Sequence, residues 1–470
     1  MTGACPRSRV AIFAYHFYPS LEVGSKRVVA LAGSLLKIGH TVMVVSAFEG
    51  LETFDAEDAR WEKLRGFQLE RIPSEQSKVL TFLVRAKRRL RRLRSGTRTD
   101  GQGDGSPTDA PGDNHPSKSI RALLFNIVGV LDDKKRWTFS AARRIVGAPI
   151  ALRPAVIVVS GPPMSTLLGA IIASQRLAIP VVVDLRDPIC QEGRHGTGGH
   201  GAPVQWGRRL LERYVMRRAS CVTTTSPSLQ RVLQVRYPGL RDRISCIYNG
   251  FDGEASPPLL HTGNRLVIVY AGALYLNRNP FPFFDVLEDI LIHEEVDASR
   301  VEVLFAGECE HYRGVQLRAW LAKRRCGHVV TIFPRLDSRD LADLYSRGTL
   351  LLNFAEGQRM QVPAKTFELL ALGREVLMLC EPDSDTASVV RRISAVICAQ
   401  SSDAAGLRKV LLDVYRRHVD QGILRTASHG EIAEYSRVVQ NERFVTLIEA
   451  VACGKSDVPR DGQMTPAIRD

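Results

Sequence analysis

Short, uninterrupted apolar runs recur along the chain and alternate with segments of helical period. RVAIFAYHF (Arg9–Phe17) is β-branched and aromatic, which predicts a buried strand. A loop, YPSLEVGS, follows it, then a helical pattern from Lys26 to Ile38 closed by Gly39, then the apolar run HTVMVVSAF. Strand, helix, strand at this spacing is the unit of a parallel α/β sheet. GFQLERI, AVIVVSGPP, PVVVDLRDP, ASCVTTTS and RISCIYNGFD read as further strands in the first half. After the polar stretch GEASPPLLHTGN the rhythm restarts with LVIVYAGAL, VEVLFAGE, VVTIFP, LLLNFAEG and EVLMLC. The chain is therefore expected to be α/β, in two tandem units.

The same pattern sets the expected boundaries. Residues 1–252 form a first domain, 253–264 a linker, 265–430 a second domain, 431–452 a closing helical segment, and 453–470 a flexible tail. Two interruptions stand out. From Phe82 to Arg98 an apolar stripe of helical spacing carries eight Lys/Arg between Arg85 and Arg98 and no acid. Residues 95–117 are rich in Gly, Pro, Asp and Ser, the composition of a disordered loop. The basic helix reads either as a solvated helix or as a contact with an anionic membrane surface.

The net charge of +14 favours an anionic partner: a phosphate compound, a nucleic acid or an anionic lipid. The nine cysteines contain no C-x-x-C pair, which argues against a disulfide framework or a zinc site and suits a reducing compartment. The N-terminus, MTGACPRSR, lacks the apolar core of a signal peptide, and no stretch has the roughly 18 apolar residues of a membrane span. The expected location is the cytoplasm, soluble or on the inner face of a membrane.

Open parallel sheets bind ligands beyond the carboxyl ends of their strands. Four such loops carry unusual residues. Gly24 lies just before a helix, where free backbone N–H groups can meet an anion; it can equally be a tight turn. Asp184, Arg186 and Asp187 follow a strand, as a base or hydroxyl-binding group or as an internal ion pair. Gly272, Arg278 and Asn279 follow another; an arginine there can clamp a phosphate or simply be solvated. In MQVPAKTFELLALG, Pro363 and Gly373 bracket a helix whose first turn holds Lys365, with Glu368 three residues on. A cation in the first turn opposes the helix dipole by about 0.3–1 kcal/mol, a misfit that an anion would remove. A local Lys–Glu pair is the plainer reading.

Several ordered blocks together resemble GT-B glycosyltransferases of the family 4 type, over about Arg9 to Ala450. They are YHFYPSLEVGSKRVVALAGSLLKIGHTVMVVS, PAVIVVSGPPMSTLLGAIIASQRLAIPVVVDLRDP, VTTTSPSL, ISCIYNGFD, VIVYAGALYLNRNP and VPAKTFELLALGREVL. The resemblance implies two Rossmann-like domains facing across a cleft, acceptor on the first and nucleoside diphosphate sugar on the second. It implies that Gly24, Gly272, Arg278 and Lys365 meet the donor diphosphate or sugar and that Glu368 meets the ribose. Asp187 is implied as catalytic beside Arg186, which stands where many members have a histidine. Met360 stands where many have a first glutamate, and Ala273 where an arginine often follows the domain-opening glycine.

The expected reaction is transfer of a sugar to an acceptor hydroxyl, in polysaccharide, lipopolysaccharide or other glycoconjugate synthesis. No cofactor and no metal are expected, although DSD at Asp383–Asp385 is a weak metal candidate. Expected partners are the nucleoside diphosphate sugar, a sugar or lipid-linked acceptor and, through residues 82–98, an anionic membrane, but no nucleic acid. A sugar-nucleotide epimerase of the same fold and a non-catalytic anion- or nucleic-acid-binding protein remain open as alternatives.

Overall fold

A computed structural model describes residues 7–48, 68–73, 132–190, 202–253 and 264–454, apart from isolated positions inside these ranges. The basic segment 82–98, the loop 95–117 and nearly all of the linker and tail lie outside the described residues.

The first sheet has the order β3-β2-β1-β4-β5-β6-β7. Its strands are β1 (Arg9–Phe13), β2 (Thr41–Phe48), β3 (Gln68–Pro73), β4 (Val156–Gly161), β5 (Val181–Leu185), β6 (Cys221–Thr224) and β7 (Ile244–Cys246). The second has the order β12-β9-β8-β13-β14-β15. It is built from β8 (Leu266–Ala271), β9 (Val301–Ala306), β12 (Val330–Phe333), β13 (Leu350–Phe354), β14 (Glu375–Leu379) and β15 (Val396–Ala399). A small antiparallel hairpin, β10 (His311–Tyr312) and β11 (Val315–Gln316), projects after β9. The registered pairs of both main sheets are parallel.

The apolar runs explain this. Strands covered by helices on both faces need side chains that can be buried on both, so VIVVSG, VVVDL and LLLNF are buried at every position. In the second sheet the two faces make two cores. One gathers Phe283, Phe284, Phe305 and Phe354, the other Phe367, Leu369, Met378 and Val390.

The described residues divide into two compact units: unit 1 holds those within 7–190, 202–222 and 448–454, and unit 2 those within 223–447. Within unit 1 the buried His40 holds the last turns of the helix Arg437–Ala452. The Ser8 backbone N–H donates to His40 Nδ1 at 3.0 Å. That leaves Nε2 to carry the hydrogen and donate to Glu449 Oε1 at 3.1 Å.

Unit 2 contains a buried ionic cluster at the start of β14. Glu375 accepts from Arg417 at 2.6 and 3.1 Å and faces His418 Nε2 at 2.7 Å. Burial alone pushes the Glu375 carboxyl up, but the hydrogen bonds from His418 and Arg417 hold it below its ordinary value.

Cys190, Cys221, Cys246, Cys309, Cys326, Cys380 and Cys398 are free thiols. Cys453 is disulfide-bonded, so the chain is not wholly in the thiol form. No helix among the described residues is long and apolar enough to cross a membrane.

Candidate functional site

The residues singled out in the sequence fall into two groups, one in each unit. In unit 1, Gly24 opens the helix Val23–Lys37, whose first turn has no acid. A Cβ on Gly24 would lie 1.8 Å from a terminal nitrogen of Arg186. The guanidinium thus occupies the space that a side chain would need. Arg186 leaves the end of β5 and donates to the Pro162 carbonyl at 2.6 Å. A positive group is therefore held beside the positive end of a four-turn helix.

Asp184 has a different task from its neighbours Arg186 and Asp187. It is buried and accepts from Arg27 Nε and NH2 at 3.0 and 2.9 Å and from Ser160 Oγ at 2.8 Å. This ion pair does not involve Arg186; it ties the helix Val23–Lys37 to the sheet. Asp187 is half-buried, two residues after the strand.

In unit 2, Gly272 follows β8 and packs against the next loop. Its N–H donates to the Ala306 carbonyl at 2.9 Å, and a Cβ on Gly307 would come within 2.3 Å of its oxygen. Arg278 folds back over this loop. It lies 4.4 Å above the Tyr275 ring and donates to the Ala273 carbonyl at 3.3 Å, while its Nε is buried without a partner. Such a nitrogen has lost water and gained nothing, at a cost of about 1–3 kcal/mol unless a ligand satisfies it.

The helix expected around Lys365 runs from Ala364 to Leu370 and Pro363 precedes it as its cap; Gly373 has φ +64°. Phe367, Leu369 and Leu370 are buried as expected, and Leu372 is half-buried. Lys365 Nζ stands 4.0 Å from Glu368 Oε2 and 5.3 Å from the centre of the Tyr345 ring. The plain local pair is thus present, held against an aromatic face.

The two strand-end loops of unit 2 touch. Gly357, in the loop after β13, has φ +73°, and a Cβ there would lie 1.8 Å from Asn277 Nδ2, next to Arg278. Gly272, Arg278, Lys365 and Glu368 accordingly belong to one edge of one sheet. The unit 1 group is Gly24, Arg186 and Asp187.

Sequence reasoning missed the residues that hold these loops. Glu356 Oε1 accepts from the Ser401 N–H at 2.7 Å, and Glu381 Oε1 from the Gly357 N–H at 2.8 Å. The Met360 carbonyl accepts from Ser226 Oγ at 2.6 Å. The acids of DSD are engaged in the same way. Asp383 pairs with Arg359 at 2.6 Å, and Asp385 accepts from the Ser228 N–H and hydroxyl.

Residues 24–250 match a family model described as a glycosyl transferase 4-like domain. This stretch, just under half of the chain, is similar to that family. The resemblance seen in the sequence is borne out by that match, and both halves have the α/β architecture of GT-B proteins.

Solved structures agree on the GT-B fold. HepE (Alr3699) of Anabaena, solved with UDP and glucose, is 14% identical with a TM-score of 0.56, over 93% of this chain and 98% of that one. The lipopolysaccharide outer core galactosyltransferase WaaB is 12% identical with a TM-score of 0.53, over 95% and 99%. The N-terminal domain of Candida albicans trehalose-6-phosphate phosphatase is 13% identical with a TM-score of 0.60, over 94% and 97%. At these identities the likeness is one of fold. No curated protein matches the chain in sequence.

Proposed function

We propose that the protein transfers a sugar from a nucleoside diphosphate sugar to an acceptor hydroxyl. The observation that carries this reading is the Asn277–Gly357 contact. It packs the loop of Gly272 and Arg278 against the loop leading to Lys365 and Glu368, at the ligand-binding edge of one sheet. The glycosyl transferase 4-like match, and a GT-B neighbour solved with UDP and glucose, support the same class of donor.

The leaving group is a nucleoside diphosphate, and negative charge grows on its inner phosphate as the glycosidic bond breaks. Arg278 and Lys365 neutralise that charge, and the unpartnered Arg278 Nε gains an acceptor. Glu368 accepts from the ribose hydroxyls. Gly24 and the adjacent N–H groups meet the phosphate or the transferred sugar, with Arg186 adding a fixed positive charge. A guanidinium does not take up a proton at neutral pH, so Arg186 acts electrostatically. Asp187 is the group beside it able to orient or deprotonate an acceptor hydroxyl.

The acceptor is a sugar or lipid-linked sugar held by unit 1, and no cofactor takes part. The products are components of a polysaccharide, lipopolysaccharide or other glycoconjugate. The expected site of action is the cytoplasmic side of a membrane, with residues 82–98 as the contact.

The test is a panel of sugar nucleotides screened for thermal stabilisation, then for transfer with and without a chelator. One donor should raise the melting temperature and be consumed equally in both conditions. Loss of turnover on chelation would overturn the metal-free scheme. Unchanged turnover in both Arg278→Ala and Lys365→Ala would overturn the assigned roles.

A further inference from the structure

The helix Ala202–Arg218 of unit 1 carries an indole on its outer side. Trp206 is 66% exposed, and Leu210, one turn on, is 46% exposed. Val204, Leu211 and Val215 are buried and seat the helix against the unit. At about 100° per residue, Trp206, Arg209, Leu210, Arg213 and Arg217 fall within roughly 100° of arc on the opposite side. All five are exposed. The helix holds five arginines and one acid. That acid, Glu212, is buried and accepts from the Cys190 N–H at 3.3 Å, so it adds no charge to the outer face.

The helix runs back along β5. Just past its end, the Ser220 N–H donates to the Val181 carbonyl, at the start of β5, at 2.9 Å. Midway along it, Glu212 holds Cys190, shortly after Asp187. Its start therefore lies at the carboxyl end of β5, the end with Arg186 and Asp187, and Trp206 is in its second turn.

We propose that this face docks on an anionic lipid bilayer, with Trp206 and Leu210 entering the headgroup region and Arg209, Arg213 and Arg217 meeting lipid phosphates. The mixture of side chains suits a bilayer surface. The core of a protein interface is poor in charge, whereas here cations and apolar groups share one arc. At a bilayer surface an indole sits at headgroup level, and an arginine buries its stem while its guanidinium reaches a phosphate. The charges are complementary as well: the arc has cations and no acid, and the whole chain carries +14. A soluble phosphate compound would use the arginines and leave Trp206 and Leu210 in water.

Docking here has a consequence that rests on the function proposed above. It brings the edge with Asp187 to the lipid surface, which favours the lipid-linked form of the acceptor.

The test uses the full chain and vesicles of phosphatidylcholine, with and without phosphatidylglycerol. The parent should sediment with the anionic vesicles, and less so as salt is added. Brominated lipid should quench its emission more than that of Trp206→Phe, which supplies the signal of the other tryptophans. Trp206→Ser combined with Leu210→Ser should weaken binding by about tenfold or more. Arg213→Gln and Arg217→Gln should each weaken it by about fivefold. Every variant should keep the parent melting temperature, since these side chains are exposed. A parent that does not bind anionic vesicles overturns the proposal. So does binding undiminished in the Trp206/Leu210 double variant, which would leave the contact to other segments such as residues 82–98, and so does a Trp206 that brominated lipid does not quench. A lipid-free dimer that the double variant dissolves would assign the face to a second copy and overturn it too. Vesicle binding is read without donor or acceptor. A chain that docks as expected and transfers no sugar would count against the function and not against this surface.

Discussion

Replacing Gly357 by alanine should damage both stability and the ligand edge of the second unit, by an amount that the local geometry sets. Gly357 has φ +73°, a left-handed conformation that costs an L-residue about 1–2 kcal/mol. The added Cβ would also lie 1.8 Å from Asn277 Nδ2, 2.6 Å from its Cγ and 2.8 Å from its Cβ. Rotating the amide away removes the first two contacts but not the third, so the backbone beside Arg278 must move. Overpacking of this kind costs about 1–3 kcal/mol.

The expected total is about 2–5 kcal/mol, measured by urea denaturation of the full chain. A second change separates the two causes. Asn277→Gly removes the three atoms nearest to the new methyl group. Gly357→Ala combined with Asn277→Gly should therefore be more stable than the sum of the single changes predicts, by about 1–3 kcal/mol. A Gly357→Ala variant as stable as the parent would refute the reasoning, and so would strict additivity. Additivity would mean that the two loops do not press on one another.

Other outcomes follow from the same contacts. Glu375→Gln leaves Arg417 and His418 buried beside a neutral group and should cost about 3–5 kcal/mol in denaturant. In the parent chain the Glu375 carboxyl is depressed in the folded state. Its stabilising contribution should be complete above the unfolded carboxylate value, near pH 4.3, and lost as the pH falls through the lower folded value; acid denaturation should show a shallower dependence in Glu375→Gln. Asp184→Asn should destabilise unit 1 by about 3 kcal/mol, since it leaves the Arg27 charge buried. Tyr345→Phe removes a buried hydroxyl that has no partner, so it should be neutral or stabilising by up to about 1 kcal/mol while keeping the ring beneath Lys365.

Strands were the most legible feature, for a physical reason. A parallel strand covered on both faces must be apolar throughout, and LLLNF or VVVDL has few other ways to be buried. The short β15 (VICA) and the hairpin after β9 escaped notice, because neither is long or apolar enough to stand out. The helix that carries Lys365 and Glu368 was legible within two residues at either end, since proline and glycine punctuate it.

Partners distant in the chain were not legible. Nothing in VVVDLRDP reveals that Asp184 turns to Arg27 while Arg186 fills the space over Gly24. Glu375 reads as an ordinary strand residue until Arg417 and His418 reach it from a helix more than forty positions on. Met360 drew attention as a missing glutamate, yet its carbonyl holds Ser226, while Glu356 and Glu381 secure the loop around it.

The central claim is that Arg278 and Lys365 hold the diphosphate of a sugar nucleotide. The most direct measurement is calorimetric titration of the reduced full chain, the Arg278→Ala variant and the Lys365→Ala variant with the donor that stabilises the parent. Removing one charge-assisted contact to a phosphate should weaken binding by about tenfold or more, from roughly 1.5–3 kcal/mol per contact, while both variants keep the parent melting temperature in the absence of ligand. Equal affinity in all three proteins would contradict the account.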